Sequence, residues 1–233
     1  MFWFLFFLSC MITVEGEADK LAVTLETGET TKAISVRSPL KSSAKVVIFN
    51  EDEFLGHGSG NYFKSGKYKF VLTAAHVLKH KFSSFILDGE ELVKLKTIYI
   101  NNQRDIAIAV PEKELENIKA TKFRVNRDVD LVGKTIYYAG FPKDMEKSLF
   151  RGFVSRSTSE WIMIQSFALP GSSGAVVFDF WGRAIGLISA VKLGVFGFSP
   201  YPELVETAVV VQKFDFIDHD FIRELFENEN DPL

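Results

Sequence analysis

Nine short apolar runs, none longer than five residues, set the terms on which this 233-residue chain can fold. They are Lys45–Phe49, Lys69–Leu72, Ile98–Ile100, Ile106–Val110, Lys134–Tyr138, Trp161–Ile164, Ala175–Phe178, Ala184–Ile188 and Ala208–Val211. Runs of this length, rich in β-branched and aromatic residues, suit strands, and Gly, Asn, Asp or Pro punctuates most of the gaps as turns require. Sustained helical periodicity is confined to Asp218–Asn228, where Phe221, Ile222, Leu225 and Phe226 share one face behind an Asp218 cap. The pattern predicts an all-β domain, barrel or sandwich, closed at one end by a single C-terminal helix.

Composition narrows the classes of function. With 47% hydrophobic residues the chain has the apolar content of a packed core, and Phe alone contributes 23 residues. Lys+Arg 27 against Asp+Glu 30 gives a net charge of -3, so there is no basic excess to hold a polyanion by counterion release. Nucleic acid is therefore not expected as a partner. Cys10 is the only cysteine, which excludes an intramolecular disulfide and a cysteine cage for zinc.

The N-terminus is a separate segment. Met1–Val14 carries no charge, is too short for a membrane span of about 20 residues, and is followed at once by polar sequence. We read residues 1–18 as a signal peptide, although no Lys or Arg precedes the apolar run; a buried first helix or a membrane anchor are the alternatives. Gly16-Glu17-Ala18 offers small residues for a signal peptidase. Phe7-Leu8-Ser9-Cys10 loosely resembles a bacterial lipobox, a weaker match that would leave Cys10 lipidated and the protein a lipoprotein. Either route predicts a secreted or cell-envelope protein, periplasmic in a bacterium. Residues 19–43, rich in Glu, Thr, Lys and Ser, read as a polar arm or linker, with the folded domain over 44–233.

Three positions carry potential chemistry. His76 closes an apolar strand in Leu72-Thr73-Ala74-Ala75-His76, Asp105 opens one in Asp105-Ile106-Ala107-Ile108, and Ser173 lies in the tight loop Pro170-Gly171-Ser172-Ser173-Gly174. Singly, each has a plain structural explanation as a core histidine, a strand-start acid and a turn serine. Together they match in order and surroundings the His, Asp and Ser of the chymotrypsin-like serine peptidases. The chain resembles most the disulfide-free bacterial branch of that family, which includes the Deg heat-stress proteases. Further matches are Gly58-Ser59-Gly60 before the His strand, Gly140-Phe141-Pro142 and Arg151-Gly152-Phe153-Val154-Ser155 before the serine loop, and Gly182-Arg183-Ala184-Ile185-Gly186-Leu187 after it. They run from Lys45 to Val211, and no segment is left for the PDZ module that Deg proteases carry.

The resemblance implies two packed six-stranded β-barrels and a serine endopeptidase acting on polypeptides without metal or other cofactor. His76 would take the proton of Ser173, and Asp105 would hold the His76 tautomer. The N–H groups of Gly171 and Ser173 would form the oxyanion hole, with Ser189 supporting Asp105. Phe167 would lie at the base of the specificity pocket and Val191 on its wall. With no acid at either place, a small or medium apolar P1 residue is expected rather than Lys or Arg. Two departures stand out: Ala175 replaces a family glycine, and Ser172 stands where digestive enzymes carry an Asp that pairs with a freed N-terminus. The alternative to an enzyme is an inactive domain of the same fold serving as a binding or scaffold module.

Competing motifs are incomplete. His76 and His80 are four apart, but Val77 stands where a zinc protease needs its Glu. The segment around His57 lacks the last glycine of a dinucleotide loop. His219 is the only histidine after Ser173, and the chain shows none of the βαβ alternation of an α/β-hydrolase.

Overall fold

The apolar runs resolve into two barrels because each strand has one face to bury and no edge to spare. A computed structural model describes residues 37–78, 82–143, 145–194 and 203–229. The expected leader, Cys10, most of the polar arm and His80 lie outside the described residues.

After the short helix α1 (Arg37–Ser42), the first barrel is built from β1 (Ser43–Asn50), β2 (Glu53–Ser65), β3 (Tyr68–Thr73), β4 (Ser83–Asp88), β5 (Glu91–Asn101) and β6 (Ile106–Pro111). Its order is β1-β4-β5-β6-β3-β2, closed by the pairing of β1 with β2, and β7 (Thr121–Lys122) adds a parallel stub to β2. The second barrel contains β8 (Thr135–Gly140), β9 (Ser148–Ser157), β10 (Trp161–Gln165), β11 (Val176–Asp179), β12 (Ala184–Gly194) and β13 (Glu203–Lys213), closed in the order β10-β13-β12-β11-β8-β9. Closure leaves neither barrel an unpaired edge, which matters in a chain rich in β-branched residues. The two six-stranded barrels are those the sequence predicts.

The phenylalanines are not shared evenly. Phe63, Phe70, Phe123, Phe178 and Phe214 are buried and meet ring to ring at 5.2–6.2 Å, filling the first barrel and its junction with the second. The second barrel is packed mainly with Ile, Val and Leu, among them Ile136, Ile162, Ile164, Val177 and Val211. Helix α2 (His219–Glu229) begins as its sequence predicts, with Asp218 Oδ1 accepting the Phe221 N–H at 2.8 Å. Its apolar face lies on the first barrel: Ile222 is buried, Phe226 stacks on Tyr68 and Phe221 meets Tyr99 edge-on.

The folded part begins earlier than residue 44. Helix α1 falls in the segment read as a polar arm, yet Leu40 packs with Tyr137, Leu149 and Phe180, and Ser42 and Ser43 are fully buried. Hydropathy misses this because hydrogen bonds satisfy the burial. Ser43 Oγ donates to the Ala139 carbonyl at 3.0 Å, and Asn61 Nδ2 donates to Ser42 Oγ at 2.8 Å. Asn61 Oδ1 in turn accepts the Val176 N–H at 2.8 Å, so one buried side chain on β2 joins α1, the first barrel and β11 of the second.

This polar seam makes a prediction about stability. An Asn61→Leu substitution of similar volume leaves the buried Val176 N–H without an acceptor, which costs about 1–3 kcal/mol. Urea unfolding should show that loss, and unchanged stability would contradict the role assigned to the seam.

Candidate active site

The barrels bring the Ser173 loop against the strand end that leads to His76, although among the described residues no hydrogen bond joins Ser173 Oγ to His76. His76 follows β3, and Asp105 immediately precedes β6, which pairs with β3. His76 Nδ1 lies 2.8 Å from Asp105 Oδ2 and 3.0 Å from Oδ1, and the His76 backbone N–H donates to Oδ1 at 2.9 Å. A carboxylate only accepts, so the Nδ1 position carries the hydrogen and Nε2 of the neutral ring is left as a base. Ser189 on β12 donates from its Oγ to Asp105 Oδ2. One carboxylate on the first barrel is thus held by a residue of the second.

Those donors set the charge of Asp105. Partial burial alone would raise its pKa, but the His76 side chain, the Ser189 hydroxyl and the His76 N–H outweigh it and hold the carboxyl below the ordinary aspartate range. Asp105 also has φ +51°, a left-handed conformation that Asp tolerates better than most residues. The sharp bend aims its carboxylate back at His76.

The Ser173 loop consists of two successive tight turns. Ser172 N–H donates to the Leu169 carbonyl at 2.9 Å, with Pro170 and Gly171 at the corners and Gly171 at φ +95°. Ala175 N–H donates to the Ser172 carbonyl at 3.0 Å, with Ser173 and Gly174 at the corners and Gly174 at φ +89°. Proline followed by a positive-φ glycine is the signature of a type II turn. Neither glycine admits a side chain. A Cβ on Gly174 would lie 2.1 Å from the Ser59 carbonyl and 2.3 Å from Thr73 Oγ1, so this loop presses directly on the strand end that leads to His76.

An account of the loop's backbone groups isolates two of them. The carbonyls of Leu169, Pro170, Gly171, Ser172 and Ser173 accept from Ser172 N–H, Lys143 N–H, Ser59 Oγ, Ala175 N–H and Ser59 N–H. The N–H groups of Leu169 and Gly174 donate to Ser172 Oγ and to the Ile188 carbonyl. Among the described residues, only the N–H groups of Gly171 and Ser173 have no acceptor in the loop. The geometry gives a reason. The Pro170 carbonyl is held 2.6 Å from Lys143 N, and in a trans peptide the Gly171 N–H points the opposite way.

Ser59 does most of this holding. It is fully buried, its Oγ donates to the Gly171 carbonyl at 2.7 Å and accepts from Phe141 N–H at 3.0 Å, and its own N–H donates to the Ser173 carbonyl at 2.7 Å. Sequence reasoning marks Gly58-Ser59-Gly60 as a motif but assigns no role to the serine. The signal was a small polar residue between glycines, where a close approach of another chain segment is needed.

The other positions singled out in the sequence are accounted for as follows. Phe167 is exposed; its ring lies 6.0 Å from Phe150, which stacks on Tyr138 at 4.9 Å, and Tyr138 Oη donates to the Phe167 carbonyl. Burial pushes the Tyr138 phenol well above its usual range, so it stays neutral. Val191 is on β12 opposite Val209, and its side chain lies outside the described residues. His219 is remote from the loop, bonded through Nδ1 to Ser65 Oγ at 2.6 Å.

Comparison with known proteins agrees with the architecture. The crystal structure of the serine endoprotease from Yersinia pestis superposes with a TM-score of 0.62 at 15% sequence identity, covering 83% of this chain and 66% of that one. At such low identity the match speaks for the fold, and the chain spans less than two thirds of that protein's length. No curated protein sequence matches the chain. A family model, the trypsin-like peptidase domain, matches residues 58–187, more than half of the 233, and the chain belongs to that family.

Proposed function

We propose that the protein is a serine endopeptidase that cleaves polypeptides through an acyl-enzyme, with Ser173 as nucleophile, His76 as general base and acid, and Asp105 as the carboxylate that orients His76. The reading is carried by the two N–H groups without acceptors at Gly171 and Ser173, in a loop pressed against the segment of a tautomer-fixed histidine. Two neighbouring donors without partners are a cost to a structural turn and an asset to a site that must stabilise an oxyanion.

The chemistry follows from those groups. Ser173 Oγ attacks the substrate carbonyl carbon while His76 Nε2 takes the hydroxyl proton. The carbonyl π electrons move to oxygen, and Gly171 and Ser173 N–H receive the resulting oxyanion. As the C–N bond breaks, His76 returns its proton to the leaving amine, and the acyl group stays on Ser173. Water then attacks the ester; His76 takes its proton and returns it to Ser173 Oγ as the acid departs. Asp105 stays ionised throughout and stabilises the imidazolium form of His76. Reading the uncharged apolar segment Met1–Val14 as a leader supports the proposal that this activity is exercised outside the cytoplasm, in a secreted or envelope protein.

As the base of the specificity pocket, Phe167, backed by Phe150 and Tyr138, would be aromatic and uncharged, which favours a small or medium apolar P1 side chain. Ala or Val at P1 should be cleaved faster than Phe, Lys or Arg. Phe167→Ala should shift the preference toward larger apolar residues by roughly tenfold in relative kcat/KM. Unchanged selectivity in that variant would remove Phe167 from the pocket.

A fluorophosphonate probe tests the central assignment. It should label the parent protein at Ser173 and fail to label Ser173→Ala or, by a factor of at least about a hundred in rate, His76→Ala. A folded parent that takes no label would favour the inactive scaffold instead.

The depressed Asp105 pKa gives a pH signature. Its folded value lies below the unfolded value of about 3.9, so its contribution to stability is present above that pH and is lost as pH falls through the folded pKa. The stability difference between the parent and Asp105→Asn, read by urea unfolding, should therefore be larger at pH 6 than at pH 3. A difference independent of pH would contradict the ionised, donor-held carboxylate.

A further inference from the structure

We propose that His57 is a positioning residue for the oxyanion turn: its Nε2–H holds the Phe141 carbonyl and so fixes the Phe141–Lys143 segment, whose Lys143 N–H keeps the Pro170 carbonyl, and with it the Gly171 N–H, in one orientation. The inference rests on the peptidase reading for its catalytic consequence, while its structural content stands on the geometry alone. His57 Nε2 lies 2.8 Å from the Phe141 carbonyl oxygen. A carbonyl cannot donate, so Nε2 carries the hydrogen, and the bond survives in both the neutral and the protonated ring.

The setting of this bond gives it a role. His57 and Ser59 are two apart on β2 and so share a face of the strand. Between them they take both polar groups of Phe141: Ser59 Oγ accepts its N–H at 3.0 Å, and His57 takes its carbonyl. Gly171 packs directly on the result. A Cβ added there would fall 2.4 Å from the Phe141 oxygen, 2.6 Å from His57 Nε2 and 3.1 Å from Lys143 N. Gly171 thus packs against the Phe141 carbonyl and His57, while its N–H is turned away from Lys143 by the Pro170 carbonyl of the same peptide. His57 keeps the Phe141 carbonyl, and the segment that carries it, in place. Lys143, at φ +48°, completes the arrangement by holding the Pro170 carbonyl, so the segment Phe141–Lys143 is tied to the loop on one side and to β2 on the other.

Substitutions separate the donor from the bulk of the ring. His57→Phe keeps an aromatic side chain and removes the donor; His57→Gln restores an N–H at the reach of Nε2. In the parent the Gly171 amide should exchange freely with solvent. In His57→Phe its NMR signal should shift and its exchange slow, as the 170–171 peptide, no longer held through the Phe141–Lys143 segment, turns its N–H toward the protein, whereas His57→Gln should resemble the parent. Labelling of Ser173 by the fluorophosphonate should slow roughly tenfold to a hundredfold in His57→Phe and recover in His57→Gln, with KM for a peptide substrate changing less than kcat. A Gly171 amide unchanged in His57→Phe, or a His57→Gln variant that behaves like His57→Phe, would overturn the proposal. The Gly171 signal decides this even in a parent that takes no label, an outcome that would count against the peptidase reading and not against His57.

Discussion

The working geometry of this molecule hangs on a buried serine that belongs to neither end of the chemistry. Ser59 lies on β2 of the first barrel, yet the three hydrogen bonds described above run to the second: to the Gly171 and Ser173 carbonyls and to the Phe141 N–H. A further one, from Thr73 Oγ1 to its carbonyl at 2.7 Å, ties it to the strand that leads to His76. A loop with two glycines at positive φ has many conformations open to it, and selecting one costs entropy. Ser59 supplies the fixed partners that make one conformation cheapest. It holds the carbonyls of Gly171 and Ser173, and the N–H groups that share those peptides, of Ser172 and Gly174, have acceptors of their own.

The same logic explains how the barrels divide their labour. The first contributes His76 and Asp105, the second Ser173, Gly171 and Ser189, so the proposed site needs the two docked. Docking relies on the aromatic cluster around Phe63 and Phe178 for apolar burial and on Asn61, Ser43 and Ser59 for register. Apolar contact is tolerant of small slips, whereas hydrogen bonds to specific backbone groups are not. A site that needs sub-ångström placement benefits from the second kind, and the buried polar seam runs from α1 to the Ser173 loop. No cysteine occurs among the described residues, so packing and this seam hold the barrels in place.

Much of this was legible from residues alone, for identifiable reasons. All nine apolar runs fall in strands, because a run of β-branched and aromatic residues between turn formers has few other ways to bury itself. The terminal helix and its Asp218 cap were readable from period and spacing. His76, Asp105 and Ser173 were readable only as a set. By contrast, β2 is 13 residues long and carries three glycines, a histidine and charged residues, so its pattern reads as loop although its second half is buried. Helix α1, Ser42, Ser43, Ser59 and Asn61 were hidden for a related cause: a polar residue whose partners are distant backbone groups looks like surface until the fold supplies them. His57 belongs with these, since nothing in its sequence neighbourhood points to Phe141, 84 positions away.

The central claim is that the turn at Gly171 is already shaped to receive an oxyanion, with the N–H groups of Gly171 and Ser173 free to take it. A crystal structure of the protein with a peptide boronate or aldehyde bonded to Ser173 tests it most directly. The account predicts an adduct oxygen about 2.7–3.1 Å from both the Gly171 and Ser173 nitrogens, with the Ser59, His57 and Lys143 hydrogen bonds unchanged from the free protein. An adduct oxygen turned to solvent, with the Gly171 N–H paired elsewhere, would contradict it.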